Sequence, residues 1–173
     1  AILLTDLYPA LSKAVRKRPL LIPHVNTHWS AGTVLQDIAR RIGIDYISPD
    51  APFEDFIQSV RQAEFVVAEA MHGAILADAM RTPWIPVNLL QHNRFKWRDM
   101  FGSLKLEYVS YKFGPAIWNQ SHPLKALFKR PLLERSLRKI VEQHSPILSE
   151  DAVLEEKLKL LKHQIDRINV TYA

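Results

Sequence analysis

Apolar residues fall along this chain in short runs separated by amphipathic stretches. Ile44 to Ile47 is a second strand candidate, and Leu20-Leu21-Ile22-Pro23, Phe65-Val66-Val67-Ala68 and Trp84 to Val87 are brief apolar runs closed by Gly, Pro or polar residues. That is the pattern of strands buried on both faces. Between the runs the apolar spacing becomes helical. Val34, Leu35, Ile38, Ala39 and Ile42 predict a helix over 33–42 closed by Gly43, Phe56, Ile57 and Val60 one over 53–62, and the Ala-rich stretch 74–81 a third. Tyr108 to Tyr111 is a candidate fifth strand. Strands alternating with helices predict an α/β fold: a Rossmann-like parallel sheet with helices on both faces and right-handed crossovers.

The ends of the chain read differently. Ala1 to Val15 is helical in part, interrupted by Pro9, and a basic cluster of Lys13, Arg16, Lys17 and Arg18 follows. Past Gly114-Pro115 the chain turns basic and helical: Leu124 to His144 carries Lys125, Lys129, Arg130, Arg135, Arg138 and Lys139, and Pro131 should kink this helix or start a new one. Ser149 and Asp151 are expected to cap a last helix with a packing seam of Leu154, Leu158, Leu161, Ile165 and Ile168. The expected division is a domain over 1–114 and a helical extension over 115–173 packing on it.

Composition narrows the chemistry. The chain has no cysteine, which excludes disulfides, zinc-thiolate sites and a Cys nucleophile. No apolar run is long enough for a membrane-spanning helix. The first ten residues carry Asp6 and lack a basic leader, so they do not read as a signal peptide. The net charge of +5 favours anionic partners, but the cations are not interleaved with aromatics as in a nucleic-acid binder. Neither G-x-G-x-x-G nor a P-loop is present. Opening on Ala1, inside an apolar run, the chain is expected to be a processed or truncated product.

In parallel α/β sheets ligands sit where strands end and helices begin. Two such points carry chemistry. Glu69-Ala70-Met71-His72-Gly73 follows one apolar run and reads as a tight turn. His72 is a candidate general acid, since imidazole changes charge near neutral pH. Glu69 could orient His72 or accept a proton, and Gly73 removes a side chain where a ligand would approach the backbone. His24-Val25-Asn26-Thr27-His28-Trp29-Ser30 follows another run and reads as a polar loop, with His24 and His28 as candidate substrate contacts. Their spacing is only a weak metal signal, and no metal is expected. A third stretch, Gln91 to Asp99, holds His92, Arg94, Phe95, Lys96, Trp97 and Arg98. Arg94 and Lys96 are candidate anion contacts. Trp97 reads as core before it reads as a sugar platform.

These stretches resemble the polysaccharide pyruvyl transferases. Phe65-Val66-Val67-Ala68-Glu69-Ala70-Met71-His72-Gly73, then Ala77-Asp78-Ala79 and Thr82-Pro83, resemble that family's apolar strand, "SSLHG" or "GRLH" turn, Ala-rich helix with "ADA", and Gly-x-Pro. Pro23-His24 is similar to its "PH", Phe95-Lys96-Trp97-Arg98-Asp99 with Gly102-Ser103 to its "FK-x-DY…S", and Ala1-Ile2-Leu3-Leu4 to its "GDPAILL". The likeness covers roughly residues 1 to 111. It implies the C-terminal half of a two-domain GT-B-like enzyme, with 1–114 as the donor-binding domain and the N-terminal half missing. An isolated half is expected not to turn over.

The activity implied is transfer of the enolpyruvyl unit of phosphoenolpyruvate to two sugar hydroxyls as a ketal, in exopolysaccharide or cell-envelope assembly, with no cofactor. The implied partners are phosphoenolpyruvate and a saccharide or lipid-linked oligosaccharide. Peripheral membrane contact and a homo-oligomer are compatible with it, nucleic acid is not expected, and the location is cytoplasmic or at the inner membrane face. Lys96 best matches the family's donor-contacting lysine. Ala70 departs from the pattern, standing where many relatives have an anion-binding arginine. Two alternatives stay open: a sugar-nucleotide glycosyltransferase of GT-B fold, and a non-catalytic interaction module whose basic helices bind a membrane or partner chain.

Overall fold

The computed structural model describes residues 2–89, 93–114 and 123–171, with backbone alone at 123–128 and 168–171. Ala1, Gln91, His92 and Pro115 lie outside the described residues, as do the side chains of Lys125 and Ile168.

Five strands form one parallel sheet: β1 (Leu20–Ile22), β2 (Asp45–Tyr46), β3 (Val66–Ala68), β4 (Trp84–Asn88) and β5 (Tyr111–Lys112), in the order β2-β1-β3-β4-β5. The helices are α1 (Val25–Ile42), α2 (Phe53–Gln62), α3 (Met71–Ala79), α4 (Arg94–Ser103), α5 (Pro123–Gln143) and α6 (Asp151–Thr171). The sheet's residues alternate between two apolar layers. Leu20, Ile22, Val66, Ala68 and Trp84 pack with α2, α3 and α4, whereas Leu21, Val67, Ile85 and Val87 pack with Leu35, Ile38 and Ala39 of α1 and Leu133, Leu137 and Ile140 of α5. This is the α/β architecture with helices on both faces that the alternating pattern predicts. Among the described residues no helix is long and apolar enough to cross a membrane.

Three local expectations differ from the structure. The stretch after β1 is not a loop. Helix α1 begins at Val25 with His24 as its N-cap, and Gly43 closes it in the left-handed region at φ 81°. Polar residues on its first turns hid the helix because they face other elements rather than solvent. Similarly, α3 begins at Met71, so His72 and Gly73 lie in its first turn rather than in a preceding one. The fifth strand is confined to Tyr111–Lys112. The N-terminal segment is helical in part, as expected, with short 3-10 helices Ile2–Asp6 and Lys13–Val15 on either side of Pro9. Pro131 lies inside one helix, α5.

The C-terminal segment is fastened to the body by the buried carboxylate of Asp78. Its Oδ2 accepts from Trp84 Nε1 and from the Ser149 backbone N–H, both at 3.0 Å, and its Oδ1 accepts from Ser149 Oγ at 2.5 Å. Ser149 is therefore not the cap of α6, since its hydroxyl is turned inward to Asp78. Arg81 adds a bond from Nη2 to the Ser149 carbonyl at 2.6 Å and an ion pair with Asp151. Ile147 and Trp84 exchange backbone bonds at 2.8 and 2.9 Å. On α6 only the start of the expected seam is well covered: Val153 is buried, Leu154, Leu158 and Leu161 are half-buried, and Ile165 is exposed.

Asp78→Ala would strand buried donors of Trp84 and Ser149. Urea unfolding should show a loss on the order of 3 kcal/mol or more, against ~1 kcal/mol for Ser149→Ala, which removes the Oδ1 bond but leaves both bonds to Oδ2 in place.

Candidate functional site

Chain order makes β1 the switch point of the sheet. The chain leaves β1 for β2 on one side and then crosses to β3 on the other. A crevice opens beyond the carboxyl ends of strands at such a point. Here it is a pocket of about 750 Å³, lined by His24 and Val25 after β1, Pro49, Phe53 and Phe56 after β2, Glu69 through Gly73 after β3, and Asn93, Lys96 and Trp97 from the start of α4.

Glu69 holds the two strand ends together. It is 3% exposed, and its carboxylate faces the N-terminus of α1, accepting from the His24 backbone N–H and from Thr27 Oγ1, each at 2.9 Å. The positive end of a helix is a favourable seat for a buried acid. The Glu69 backbone N–H also donates to the Ile22 carbonyl. Thr27, fully buried, was not foreseen as part of the site. The signal was available: the stripe Ile38, Leu35, Ala31 continued back at helical spacing reaches position 27, where a polar residue must find a buried partner.

His72 is exposed on the first turn of α3, within the pocket lining, and makes no hydrogen bond among the described residues. Ala70 is the N-cap of α3 and provides no side chain for the helix's first N–H groups. These open donors and the helix dipole create an anion-favouring point beside His72. Lys96 faces the same pocket from α4, with no ion pair among the described residues. Its helix is fixed by Asn93, whose side chain caps the Lys96 N–H at 3.1 Å. Trp97 anchors it too, buried with its ring centroid 6.4 Å from those of Trp84 and Phe101. Trp97 is thus core, with one edge on the pocket wall.

Gly73 also has a packing reason to be small. A Cβ there would lie 3.0 Å from Ile22 Cγ2, so its absence lets α3 close against β1, whatever approaches from the pocket.

The structure brings His24, Glu69, His72, Gly73 and Lys96 together, and it places Arg94 and His28 elsewhere. Arg94 lies over the Tyr108 ring at 6.0 Å. His28, one turn into α1, reaches Tyr46 Oη with Nδ1 at 2.7 Å and Ser48 Oγ with Nε2 at 3.1 Å. Gly32 leaves room for this pair, because a Cβ there would meet His28 Nδ1 at 2.7 Å. Burial first, then the charges of Glu69 and Asp50, push the Tyr46 hydroxyl up to about 12. It stays protonated at any working pH.

Comparison with known proteins bears on these residues. Residues 3–90 match the family described as polysaccharide pyruvyl transferase, a span that includes His24, Glu69, His72 and Gly73 and stops short of Lys96. The succinoglycan biosynthesis protein ExoV of Rhizobium meliloti (strain 1021) is 40% identical over 84 residues, which is 47% of this chain and 27% of ExoV. The chain thus matches about a quarter of the length of that curated relative. No solved structure matches.

The Tyr46 environment gives a pH prediction. An unfolded tyrosine loses its proton near ~10 and the folded one near 12. The stabilisation is therefore complete below pH ~10 and lost as pH rises toward 12. Because the ring is only half-buried, the loss should be on the order of 1 kcal/mol. Melting temperatures between pH 10 and 12 should fall more steeply for the wild type than for Tyr46→Phe.

Proposed function

The chain belongs to the polysaccharide pyruvyl transferase family, and from that membership and the pocket's geometry we propose that it binds phosphoenolpyruvate at the strand ends and transfers the enolpyruvyl unit to a saccharide as a ketal in exopolysaccharide synthesis. The observation that carries the reading is the meeting of His72, the open N-terminus of α3 and Lys96 in one pocket. The donor carries a phosphate and a carboxylate, and this end of the pocket has the charges to receive both.

In this reading His72 delivers a proton to the donor's methylene carbon, which becomes a methyl group. The adjacent carbon gains oxocarbenium character, two hydroxyls of the acceptor add to it, and its bond to the phosphate oxygen breaks. One hydroxyl proton replaces the one His72 gave up, the other leaves with phosphate, and the atoms balance. Lys96 and the α3 N–H groups stabilise charge on the donor and on departing phosphate. With Ala70 in place of the arginine found in many relatives, backbone donors take over an anion contact. Glu69 acts as a positioning residue through the His24 turn. His24 faces the acceptor side.

A pyruvylation assay of the intact enzyme containing this chain, with phosphoenolpyruvate and mild-acid-treated succinoglycan oligosaccharides, tests this. His72→Gln should lower kcat about 100-fold or more. Lys96→Ala should chiefly raise KM for phosphoenolpyruvate, by about tenfold. Calorimetry should register phosphoenolpyruvate but neither UDP-glucose nor GDP-mannose. Saturable binding of a sugar nucleotide with no response to phosphoenolpyruvate would sink the reading.

A further inference from the structure

Away from its cationic end, the pocket has a rim of different chemistry. Trp29 is 68% exposed and Phe53 58% exposed. Large aromatic surfaces left in water are costly and mark contact sites when they sit at a pocket mouth. Phe53 lines the pocket itself. Trp29 stands one turn of α1 beyond Val25, which lines it, and its indole Nε1 donates to Asp50 Oδ2 at 3.1 Å, next to Pro49 of the wall.

This rim is held rigidly. The Asp50 N–H donates to Ser48 Oγ at 3.1 Å, Ser48 meets His28, and His28 meets Tyr46. The indole therefore has its one polar group satisfied and its face open. The Phe53 ring sits edge-on to Tyr8 at 6.5 Å, and the Tyr8 hydroxyl donates to Glu54 at 2.5 Å. The aromatic surfaces are thus flanked by Asp50 and Glu54, with Arg61, whose guanidinium bonds the Pro9 carbonyl, over the Tyr8 ring at 5.8 Å and His28 3.7 Å from Asp50.

The carboxylates disfavour an anionic ligand at the rim, and so neither the donor nor a phospholipid headgroup suits it. Flat aromatic faces suit the C–H face of a pyranose ring, and carboxylate oxygens accept hydrogen bonds from its hydroxyls. We propose that Trp29, Phe53 and Asp50 form the subsite for a neutral saccharide ring of the acceptor. This assignment rests on the pyruvyl-transfer reading for its biological sense, but its chemistry stands apart from the donor's. The pocket is divided, with the anion held at Lys96 and α3 and the neutral polyol at the α1–α2 rim.

The test measures binding with no turnover. The intact protein is titrated calorimetrically, without donor, with the same acid-treated oligosaccharides, and separately with phosphoenolpyruvate. Trp29→Ala should raise the saccharide Kd about tenfold, with Trp29→Phe close to wild type, because a flat aromatic face survives. Both variants should keep the wild-type melting temperature, since the side chain is outside the core, and the wild-type affinity for phosphoenolpyruvate. Unchanged saccharide affinity in the Trp29→Ala, Phe53→Ala double variant overturns the proposal, as does absence of saccharide binding by the wild type. So does a change in sedimentation on Trp29→Ala with saccharide affinity unmoved, which would make the rim a protein contact. Failure to bind phosphoenolpyruvate, with Trp29-dependent saccharide binding intact, would overturn the donor reading alone.

Discussion

The site depends on a buried carboxylate joining two strand ends. Glu69 follows β3 and reaches across the switch point to the N-terminus of α1, where it accepts from His24 N–H and Thr27 Oγ1. A buried acid without partners would cost several kcal/mol, on the order of the penalty for any uncompensated buried charge. Here helix-end donors satisfy it, so the spacing between β1 and β3 at their carboxyl ends is set by hydrogen-bond lengths rather than by apolar packing alone. The pocket opens on this fixed edge.

Helix α3 is held from both directions. Glu69 lies just before it, Gly73 lets its first turn close on Ile22, and near its end Asp78 is bound to Trp84 and Ser149. The backbone around His72 is therefore firmly placed while the imidazole itself stays unengaged among the described residues. That combination suits a group that must meet a substrate: the support is rigid and the functional side chain is left accessible. The C-terminal segment contributes to it from a distance, through the bonds of Ser149 to Asp78 near the end of α3.

Charge is partitioned along the pocket. Lys96 and the uncapped start of α3 make one end attractive to anions, and Asp50 and Glu54 make the rim unattractive to them. A two-substrate transfer between an anionic donor and a neutral polyol needs such a division, since otherwise the donor would compete for both positions. The partition arises from secondary structure as much as from residue type. A helix N-terminus without a capping side chain works as a partial positive charge, and on the proposed reading this takes the place of an arginine at Ala70.

By itself the sequence determined the alternation of strands and helices from β1 to β4, though neither where α1 begins nor that α4 is a helix. A strand buried on both faces must be an uninterrupted apolar run, and Gly43 marks the end of α1 because only an αL-tolerant residue closes a helix so tightly. It also marked His72, through its place beyond a strand end, whereas Lys96 was singled out by resemblance to the family's donor-contacting lysine. Only the tertiary structure decided the partners of the polar side chains. Glu69 bonds across 45 positions to His24, Asp78 across 71 to Ser149, and His28 across 18 to Tyr46. Hydrogen bonds depend on distances of a few tenths of an ångström between residues far apart in the chain, and no local periodicity encodes them. For the same reason the close approach of Gly73 to Ile22 could not be read from the sequence, and the polar stretch after β1, which reads as a loop, became the start of a helix.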